Sequence, residues 1–350
     1  MGSTERGPHK LAPFFIPSYN EFMNANLSSV PAIPFTADAL RRTLPPFDFA
    51  RPVPDDPLLH SYRQYYHIDF ETRFAGLQVT LGQVHVAGFD IAVQAFQPRE
   101  ARATVFVVHG YYDHVGIFNH LIESLLLRDF AVIAFDLPGH GLSSGSRATI
   151  YNFHQYQPVL LKVIELARGA LPKPWHFAAQ STGGSIVSEY LLGYSCRPEQ
   201  LEFASAVLMA PLVRPVNWWL NRHVHTVISP FRDYIPRKYN TNTHDTDYLR
   251  FARTADPLQP RYLSVRWVGA LKQWIPYLER HEPLPFPVLI IQGEEDTTVD
   301  WRHNTVLLKT KFLPAELYMM PALRHQVVNE SVEIRTQVFT RLNHFLLAHC

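Results

Sequence analysis

Ser181 is the residue of this sequence best suited to act as a nucleophile. It lies in the segment AQSTGG at residues 179–184, directly after an apolar run and directly before a helix-like one. Because a serine hydroxyl is a weak nucleophile at neutral pH, it needs an exposed turn, a neighbouring base and backbone N–H groups that stabilise an oxyanion. A sharp strand-to-helix turn built from small residues provides all three. The competing interpretation is an ordinary glycine-rich connection in which Ser181 only caps the helix.

A general base and the acid that orients it are expected further along the chain. The segment VLIIQGEEDTTVD at residues 288–300 ends an apolar run with four carboxylates, one of which should orient the base. The segment MMPALRHQVVNE at residues 319–330 then places His325 in a loop between the last strand and the last helix. The order serine, acid, histidine agrees with a nucleophile on a strand-to-helix turn. A surface histidine is the competing interpretation, but the position after the final strand distinguishes His325 from the other histidines.

Two places in the sequence offer backbone N–H donors for an oxyanion. In the segment VFVVHGYYDH at residues 105–114, Gly110 permits a turn that points the N–H of Tyr111 into the site. Thr182, at a helix amino end, supplies the second donor. His109 and His114 are alternative bases, although polar residues at a strand end commonly fix a turn by hydrogen bonding.

The glycine-rich segment DLPGHGLSSG at residues 136–145 follows a predicted strand and superficially resembles a phosphate-binding loop. No lysine follows it, and its glycine spacing is not that of a nucleotide-binding motif. A structural loop is therefore predicted.

The elements that must position these residues alternate along the chain. The pattern between residues 77 and 96 predicts an antiparallel hairpin at a sheet edge. After it, near-continuously apolar runs alternate with amphipathic ones, which predicts an α/β fold with a mostly parallel sheet covered by helices on both faces. The predicted strands are 103–108, 131–135, 175–179, 206–209, 288–291 and 317–320, and the predicted helices are 117–127, 158–167, 184–192 and 332–347.

Composition argues against several classes of protein. The 350 residues include 32 Lys and Arg and 31 Asp and Glu, so the net charge of +1 gives no field that favours nucleic acid. Two cysteines, Cys196 and Cys350, do not indicate a disulfide framework. No secretory signal, lipidation motif or membrane-spanning apolar run is recognised. A cytoplasmic protein without metal or organic cofactor is predicted, with peripheral membrane contact left open.

Two segments depart from the alternating pattern, and residues 76–210 and 286–350 between and after them form the predicted core. Residues 1–75 are rich in proline and predict an irregular arm that buries its aromatic rings on the core, with a partner or membrane contact surface as the alternative. Residues 211–285 predict a helical insertion with eleven Lys and Arg against six Asp and Glu. The aromatic residues of the arm are Phe14, Phe15, Tyr19, Phe22, Phe35, Phe47 and Phe49.

On these motifs the sequence resembles the monoacylglycerol lipase, lysophospholipase and serine aminopeptidase branch of the α/β-hydrolase superfamily. The resemblance covers roughly residues 78–348. It is carried by His109-Gly110 with His114, by the segments at 136–143 and 293–296, by the turn around Ser181, and by His325 followed by Asn329-Glu330. Ala179 and Gln180 stand where the family usually has glycine and often has histidine, and neither change removes a chemical group.

The resemblance implies an α/β-hydrolase fold in which residues 211–285 form a helical cap over the active site. It implies Ser181 as the nucleophile, Asp296 as the acid and His325 as the general base, with the N–H groups of Tyr111 and Thr182 as oxyanion donors. Glu294, Glu295 and Asp300 are then not involved. The cap aromatics Trp218, Trp219, Tyr234, Trp267 and Trp274 are expected either to line an acyl-chain channel or to attach the cap to the core.

The expected activity is hydrolysis of a carboxylic ester with one acyl chain, in a lysophospholipid or a monoacylglycerol, through an acyl-enzyme on Ser181. A basic cap suits an anionic head group or a membrane surface. One alternative is a serine aminopeptidase or related amidase. A second alternative is a catalytically idle hydrolase fold whose amino-terminal arm binds a partner.

Overall fold

A central sheet of eight strands is the scaffold on which the candidate site is built. The computed structural model describes residues 35–350. β-branched and aromatic residues dominate the inner strands, and every residue of β3, β4, β5 and β9 is buried, as expected for strands with helices on both faces. The strands are β1 Gln78–Val86, β2 Phe89–Gln97, β3 Ala103–Val108, β4 Phe130–Phe135, β5 Trp175–Gln180, β6 Phe203–Met209, β7 Tyr234–Pro236, β8 Tyr262–Ser264, β9 Val288–Gly293 and β10 Ala315–Met320.

The strand order in the sheet is β1-β2-β4-β3-β5-β6-β9-β10. The β1–β2 hairpin is antiparallel and lies at one edge of the sheet, and β2 is also antiparallel to β4. The other six strands, β4, β3, β5, β6, β9 and β10, are parallel to one another. In this α/β-hydrolase fold the carboxyl ends of β3, β5 and β9 lie on one edge of the sheet, where ligand sites of open α/β sheets form. The predicted hairpin and parallel sheet are therefore confirmed.

Ten α-helices lie within the described residues, and those outside the insertion bury leucine, isoleucine or valine in the core around the sheet. All four predicted helices are present within a few residues of their expected bounds. The helix that follows β9 was not predicted. The helices are α1 Ala37–Thr43, α2 Pro57–Tyr65, α3 Asn119–Leu126, α4 Tyr156–Ala167, α5 Thr182–Leu192, α6 Trp218–Ile228, α7 Thr246–Thr254, α8 Val265–Glu279, α9 Trp301–Lys311 and α10 Val332–Leu347.

The arm is more regular than its proline content suggests. The prediction of an irregular segment is wrong at α1 and α2, because prolines there lie outside the helices or in the first turn, where a missing N–H costs nothing. The expected burial of rings is confirmed for Phe35 and Phe47, and Phe49 is half-buried. Phe14, Phe15, Tyr19 and Phe22 lie outside the described residues.

The insertion, residues 211–285, contains α6, α7 and α8, as a helical segment should. It also contains the two short strands β7 and β8, which pair antiparallel apart from the main sheet. The sequence did not indicate them, because strands of three residues carry no measurable alternation. None of the helices in the described part of the chain is long and apolar enough to span a bilayer.

Candidate active site

The turn that carries Ser181 joins the end of β5 to the start of α5. Ser181 has φ 51° and ψ −114°, a conformation that a residue with a side chain adopts only at a cost. Two backbone hydrogen bonds hold it: the N–H of Ser181 donates to the carbonyl of Met209 (2.9 Å), and the N–H of Leu212 donates to the carbonyl of Ser181 (3.1 Å). A Cβ on Gly183 would lie 2.2 Å from the carbonyl oxygen of Val108, so the predicted need for a small residue there is confirmed.

Ser181, His325 and Asp296 form one continuous chain of hydrogen bonds. The Nε2 atom of His325 lies 3.0 Å from the Oγ of Ser181, and its Nδ1 atom lies 2.8 Å from Oδ2 of Asp296. The other carboxylate oxygen, Oδ1, accepts from the backbone N–H groups of Thr298 (2.8 Å) and Val299 (3.1 Å). Because the carboxylate can only accept, Nδ1 carries the proton and Nε2 faces the serine hydroxyl as an acceptor.

The electrostatics of this chain favour a basic His325. Burial raises the pKa of Asp296, but the charge of His325, its hydrogen bond and the two backbone N–H groups outweigh burial and bring the pKa below its usual value. Burial lowers the pKa of His325, but the carboxylate of Asp296 outweighs it, and the pKa of His325 lies above its usual value. The arrangement can therefore accept a proton from Ser181 and stabilise the resulting imidazolium ion.

The turn after β3 brings the predicted oxyanion donors to the nucleophile. A Cβ on Gly110 would lie 3.2 Å from the Cβ of Ser181, so this turn contacts the nucleophile directly. Thr182 is the first residue of α5, and its N–H therefore has no acceptor within the helix. Among the backbone hydrogen bonds of the described residues, the N–H of Tyr111 has no carbonyl acceptor. Both N–H groups are thus free to interact with a bound oxygen.

Asp113 is a buried carboxyl group that the sequence analysis did not single out. Its two oxygens accept from the side-chain amides of Gln326 and Gln180, each at 3.3 Å. Gln326 follows His325 in the chain, and Gln180 precedes Ser181. A Cβ on Gly110 would also lie 2.8 Å from Oδ2 of Asp113. One carboxyl therefore connects the loops that carry the nucleophile, the base and the predicted oxyanion donor. The only sequence signal was an acidic residue between two predicted site residues.

His109 and His114, the alternative bases, are both engaged in other contacts. His109 donates from Nδ1 to the carbonyl of Gly110 (2.8 Å) and accepts at Nε2 from the N–H of Leu137 (2.9 Å). Burial lowers the pKa of His109 to about 3. His114 lies 3.0 Å from a carboxylate oxygen of Asp256 in the insertion. Both histidines therefore fix loops around the site, and neither joins the chain of hydrogen bonds at Ser181.

The glycine-rich segment 136–145 is also fixed by hydrogen bonds. The carboxylate of Asp136 accepts from the N–H groups of Val115 and Leu142, both at 2.7 Å. A Cβ on Gly141 would lie 2.2 Å from Oδ2 of the same carboxylate. These contacts give the segment the structural role predicted for it.

The remaining carboxylates after β9 lie away from His325. Glu294 is exposed. Glu295 pairs with the guanidinium of Arg324 at 3.0 Å, and Asp300 caps α9 by accepting from the N–H of His303 at 3.3 Å. The structure thus brings Asp296 alone of these four to the imidazole.

The aromatic residues of the insertion divide into two groups. Trp267 stacks on Tyr111 with ring centres 3.9 Å apart, and Trp274 donates to a carboxylate oxygen of Glu189 at 2.7 Å. Trp218 is buried as well, so these three attach the insertion to the core. In contrast, Trp219 and Tyr234 are 67% and 40% exposed.

Comparison with known proteins identifies the family. A family model described as "Serine aminopeptidase, S33" matches residues 99–332, about two thirds of the chain. The chain belongs to this family. Human monoglyceride lipase is 27% identical over 252 residues, which cover 69% of the chain and 81% of the lipase. Monoacylglycerol lipase of Mycolicibacterium smegmatis is 25% identical, over 70% of the chain and 89% of that lipase. A probable lysophospholipase L2 of Haemophilus influenzae is 23% identical, over 71% of the chain and 86% of its own length.

Solved structures agree on the fold. A soluble variant of monoglyceride lipase from Saccharomyces cerevisiae superposes with a TM-score of 0.66 at 20% identity, over 77% of the chain and 95% of the lipase. Monoacylglycerol lipase of Paleococcus ferrophilus gives a TM-score of 0.64 at 19% identity, over 76% of the chain and all of the lipase. The protein is therefore an α/β-hydrolase of the branch that contains monoglyceride lipases and lysophospholipases.

Proposed function

We propose that this protein hydrolyses the carboxylic ester of a lipid with a single acyl chain, a lysophospholipid or a monoacylglycerol. The observation that carries the proposal is the hydrogen-bonded chain from Ser181 through His325 to Asp296. His325 takes the proton of Ser181 as its Oγ attacks the ester carbonyl, and the N–H groups of Tyr111 and Thr182 stabilise the oxyanion. His325 then protonates the departing alcohol. A water molecule, activated by the same imidazole, releases the fatty acid and regenerates Ser181.

The relatives support a lipid ester as the substrate class. Relatives named as monoglyceride lipases and as a probable lysophospholipase match about 70% of the chain, and they share one acyl chain as the common feature of their substrates. The insertion adds a second argument, because its eleven Lys and Arg exceed its six Asp and Glu by five. A positive surface beside the site suits an anionic lipid or an anionic membrane.

The outer face of α6 supports contact with a lipid surface. Trp219 is 67% exposed, Val227 is 69% exposed and Phe231, just beyond the helix, is 81% exposed. Arg222 lies on the same helix and Arg232 directly after Phe231. Large apolar side chains beside basic ones are typical of helices that lie in a membrane interface. We propose that the protein takes its substrate from such an interface.

An amidase is the second candidate, and the family description, which names an aminopeptidase, is the observation that favours it. An aminopeptidase needs a free acidic group to bind the amino terminus of its substrate. Asp113 lies beside Gly110, but both its oxygens accept from glutamine amides. The ester hydrolase therefore remains the stronger proposal.

Labelling with a fluorophosphonate probe tests the proposed mechanism. Intact-mass measurement should detect one adduct on the wild-type protein and none on Ser181→Ala of equal thermal stability. A panel of acyl esters and amino-acid arylamides, matched in concentration, then distinguishes an esterase from an amidase. Folded wild-type protein that neither forms the adduct nor cleaves any substrate would instead favour the idle hydrolase fold, with the arm as a binding element.

A further inference from the structure

The loop that carries His325 is in contact with one stretch of the insertion, residues 242–248, which ends in the first turn of α7. This loop, residues 324–330, lies in the connection between β10 and α10. Any shift of its backbone moves Nε2 of His325 relative to the Oγ of Ser181, which lies 3.0 Å away. The contacts that fix the loop therefore set the geometry of proton transfer.

The backbone on each side of His325 is held by a hydrogen bond. The N–H of Arg324 donates to Oε1 of Glu330 at 3.2 Å. The N–H of Gln326 donates to the carbonyl of Asn242 at 2.8 Å. The residue before the base is thus tied to the far end of its own loop, and the residue after the base is tied to the insertion.

Glu330 joins the base loop to the insertion. Its side chain is fully buried. Its Oε2 accepts from the backbone N–H groups of His244 and Ser331, both at 2.9 Å, and its Oε1 lies 3.1 Å from Nδ1 of His244. A carboxylate buried to this extent depends on its donors, because each of them offsets part of the cost of removing the charge from water. The donors from the two segments are therefore held together around one side chain.

Thr243 makes a second connection between the insertion and the loop. Its side chain is fully buried, and its Oγ1 donates to the carbonyl of Asn329 at 2.7 Å. The same oxygen accepts from the N–H of Asp245 at 3.0 Å. The carbonyl of Thr243 accepts from the guanidinium of Arg324 at 3.1 Å. Thr243 thus contacts both ends of the loop.

Tyr248, in the first turn of α7, contacts the side chain of the residue that follows the base. Its hydroxyl accepts from Nε2 of Gln326 at 2.9 Å. The same amide nitrogen lies 3.3 Å from Oδ1 of Asp113, the carboxyl that connects the loops of the nucleophile and the base. The insertion therefore also reaches these loops through a single glutamine side chain.

We infer that the insertion positions the general base, with Thr243 and Glu330 as positioning residues. Both act on the imidazole of His325 through the backbone of its loop, because their hydrogen bonds go to that backbone and to the insertion. The inference rests on the proposed function and deepens it, since it gives the insertion a role in the chemical step. Loss of either contact should slow proton transfer from Ser181 rather than weaken binding of the ester.

Thr243→Val tests the inference, because it removes the hydroxyl and keeps the shape of the side chain. With a short, monomeric acyl ester, kcat should fall on the order of tenfold and KM should change less than about twofold, as expected for a small misplacement of a catalytic group. Thr243→Ser keeps the hydroxyl and should restore most of kcat. Glu330→Gln replaces an acceptor oxygen with a donor group and should lower kcat by about 100-fold.

Thr104→Val is the matched control for Thr243→Val. Thr104 is also fully buried, and its hydroxyl donates to the carbonyl of Pro172 at 2.7 Å. It lies at the amino end of β3, at the edge of the sheet opposite Ser181. The two valine variants should lose similar melting temperature, and only Thr243→Val should lose kcat per folded molecule. Equal losses of kcat in both, or full activity in Thr243→Val, would overturn the inference.

Proton NMR separates failure of this inference from failure of the proposed function, because it needs no substrate. The Nδ1–H of His325, 2.8 Å from Asp296, should give a downfield resonance that is lost in Asp296→Asn. Its exchange with water should be faster in Thr243→Val than in the wild type and Thr104→Val, because the loop opens more readily. Equal exchange in all three would contradict the inference. Faster exchange in Thr243→Val, with a wild-type protein that cleaves no ester, would support the inference and contradict only the proposed function.

Discussion

The buried residues that position Ser181 and the outer face of the insertion differ in how their polar and apolar groups are used. We call the first region the frame; it consists of Asp296, His325 and Asp113 with the loops that carry them. In the frame, Asp296, His325 and Asp113 are buried and each is hydrogen-bonded to a neighbour of fixed position. On the insertion, the apolar side chains of Trp219 and Phe231 are 67% and 81% exposed. Chemistry at a serine requires preorganised geometry, whereas recognition of a lipid requires groups that are satisfied only when the ligand arrives. Substitutions in the two regions should therefore have different consequences.

The largest effect is expected at the acid of the frame. Asp296→Asn keeps the shape of the side chain but replaces an acceptor of the Nδ1–H of His325 with an amide. The imidazole should then adopt the wrong tautomer, and kcat should fall by about 10,000-fold with little change in KM. Hydrolysis of an acyl ester by wild type and variant measures this.

Glu295→Gln provides the control for this substitution. Glu295 is one residue away and contacts Arg324 at the surface, so its loss should change kcat less than twofold, which is roughly the expectation for an exposed ion pair. Near-normal activity in Asp296→Asn together with a large loss in Glu295→Gln would transfer the acid role to Glu295.

The next effect concerns the arm, whose described part packs into the hydrophobic core rather than forming a separate binding element. Leu59 in α2 is fully buried in the core on one side of the sheet, so Leu59→Ala should lower the free energy of unfolding by about 2–5 kcal/mol. His60→Ala, at an exposed position of the same helix, should change it by less than about 0.5 kcal/mol. Denaturant unfolding measures both. Equal stability of the two variants would mean that α2 does not contribute to the core.

The sequence was most informative where local rules coincide with the fold. The segment around Ser181 predicted a strand, a sharp turn and a helix from its own residue types, although the steric limit at Gly183 is set by Val108 on the neighbouring strand β3. His325 was found from its position after the last strand. The acid was fixed by a family resemblance rather than by chemistry, since four neighbouring carboxylates are alike until hydrogen bonds from Thr298 and Val299 distinguish Asp296.

The sequence was least informative where distant segments meet. Asp113 is separated from Gln180 and Gln326 by 67 and 213 residues, and no local pattern links them. Strands β7 and β8 of the insertion have three residues each and are too short for a periodic signal. The helices of the arm were missed because proline was counted without its position in each helix. The contacts of Asp113 are set by the tertiary fold, whereas the short strands and the arm helices were missed for local reasons.

A smaller effect is expected on the outer face of the insertion. Trp219→Ala should weaken binding to anionic phospholipid vesicles on the order of tenfold, equivalent to roughly 1.4 kcal/mol, and should leave hydrolysis of a short, monomeric ester unchanged. Flotation with vesicles rich in phosphatidylserine measures binding. Tyr151→Ala is the control, because Tyr151 is exposed to a similar extent (62%) outside the insertion. Equal losses in both variants would argue against a specific lipid-binding face.

The smallest effect is a change in pH dependence without a change in mechanism. The pKa of His325 is raised above its ordinary value, with the charge of Asp296 as the largest raising influence and that of Asp113 as a further one. Only neutral His325 can accept the serine proton, so kcat/KM should fall as the pH drops through this raised pKa, and the acid limb of the pH profile should lie above pH 6.5.

Asp113→Asn removes a negative charge but keeps the shape of the side chain, so the acid limb should move to lower pH. Glu294→Gln, which removes an exposed carboxylate two residues before Asp296, should not move it. A fall in activity at every pH with no movement of the limb would mean that Asp113 only supports the loops and does not act on the charge of His325.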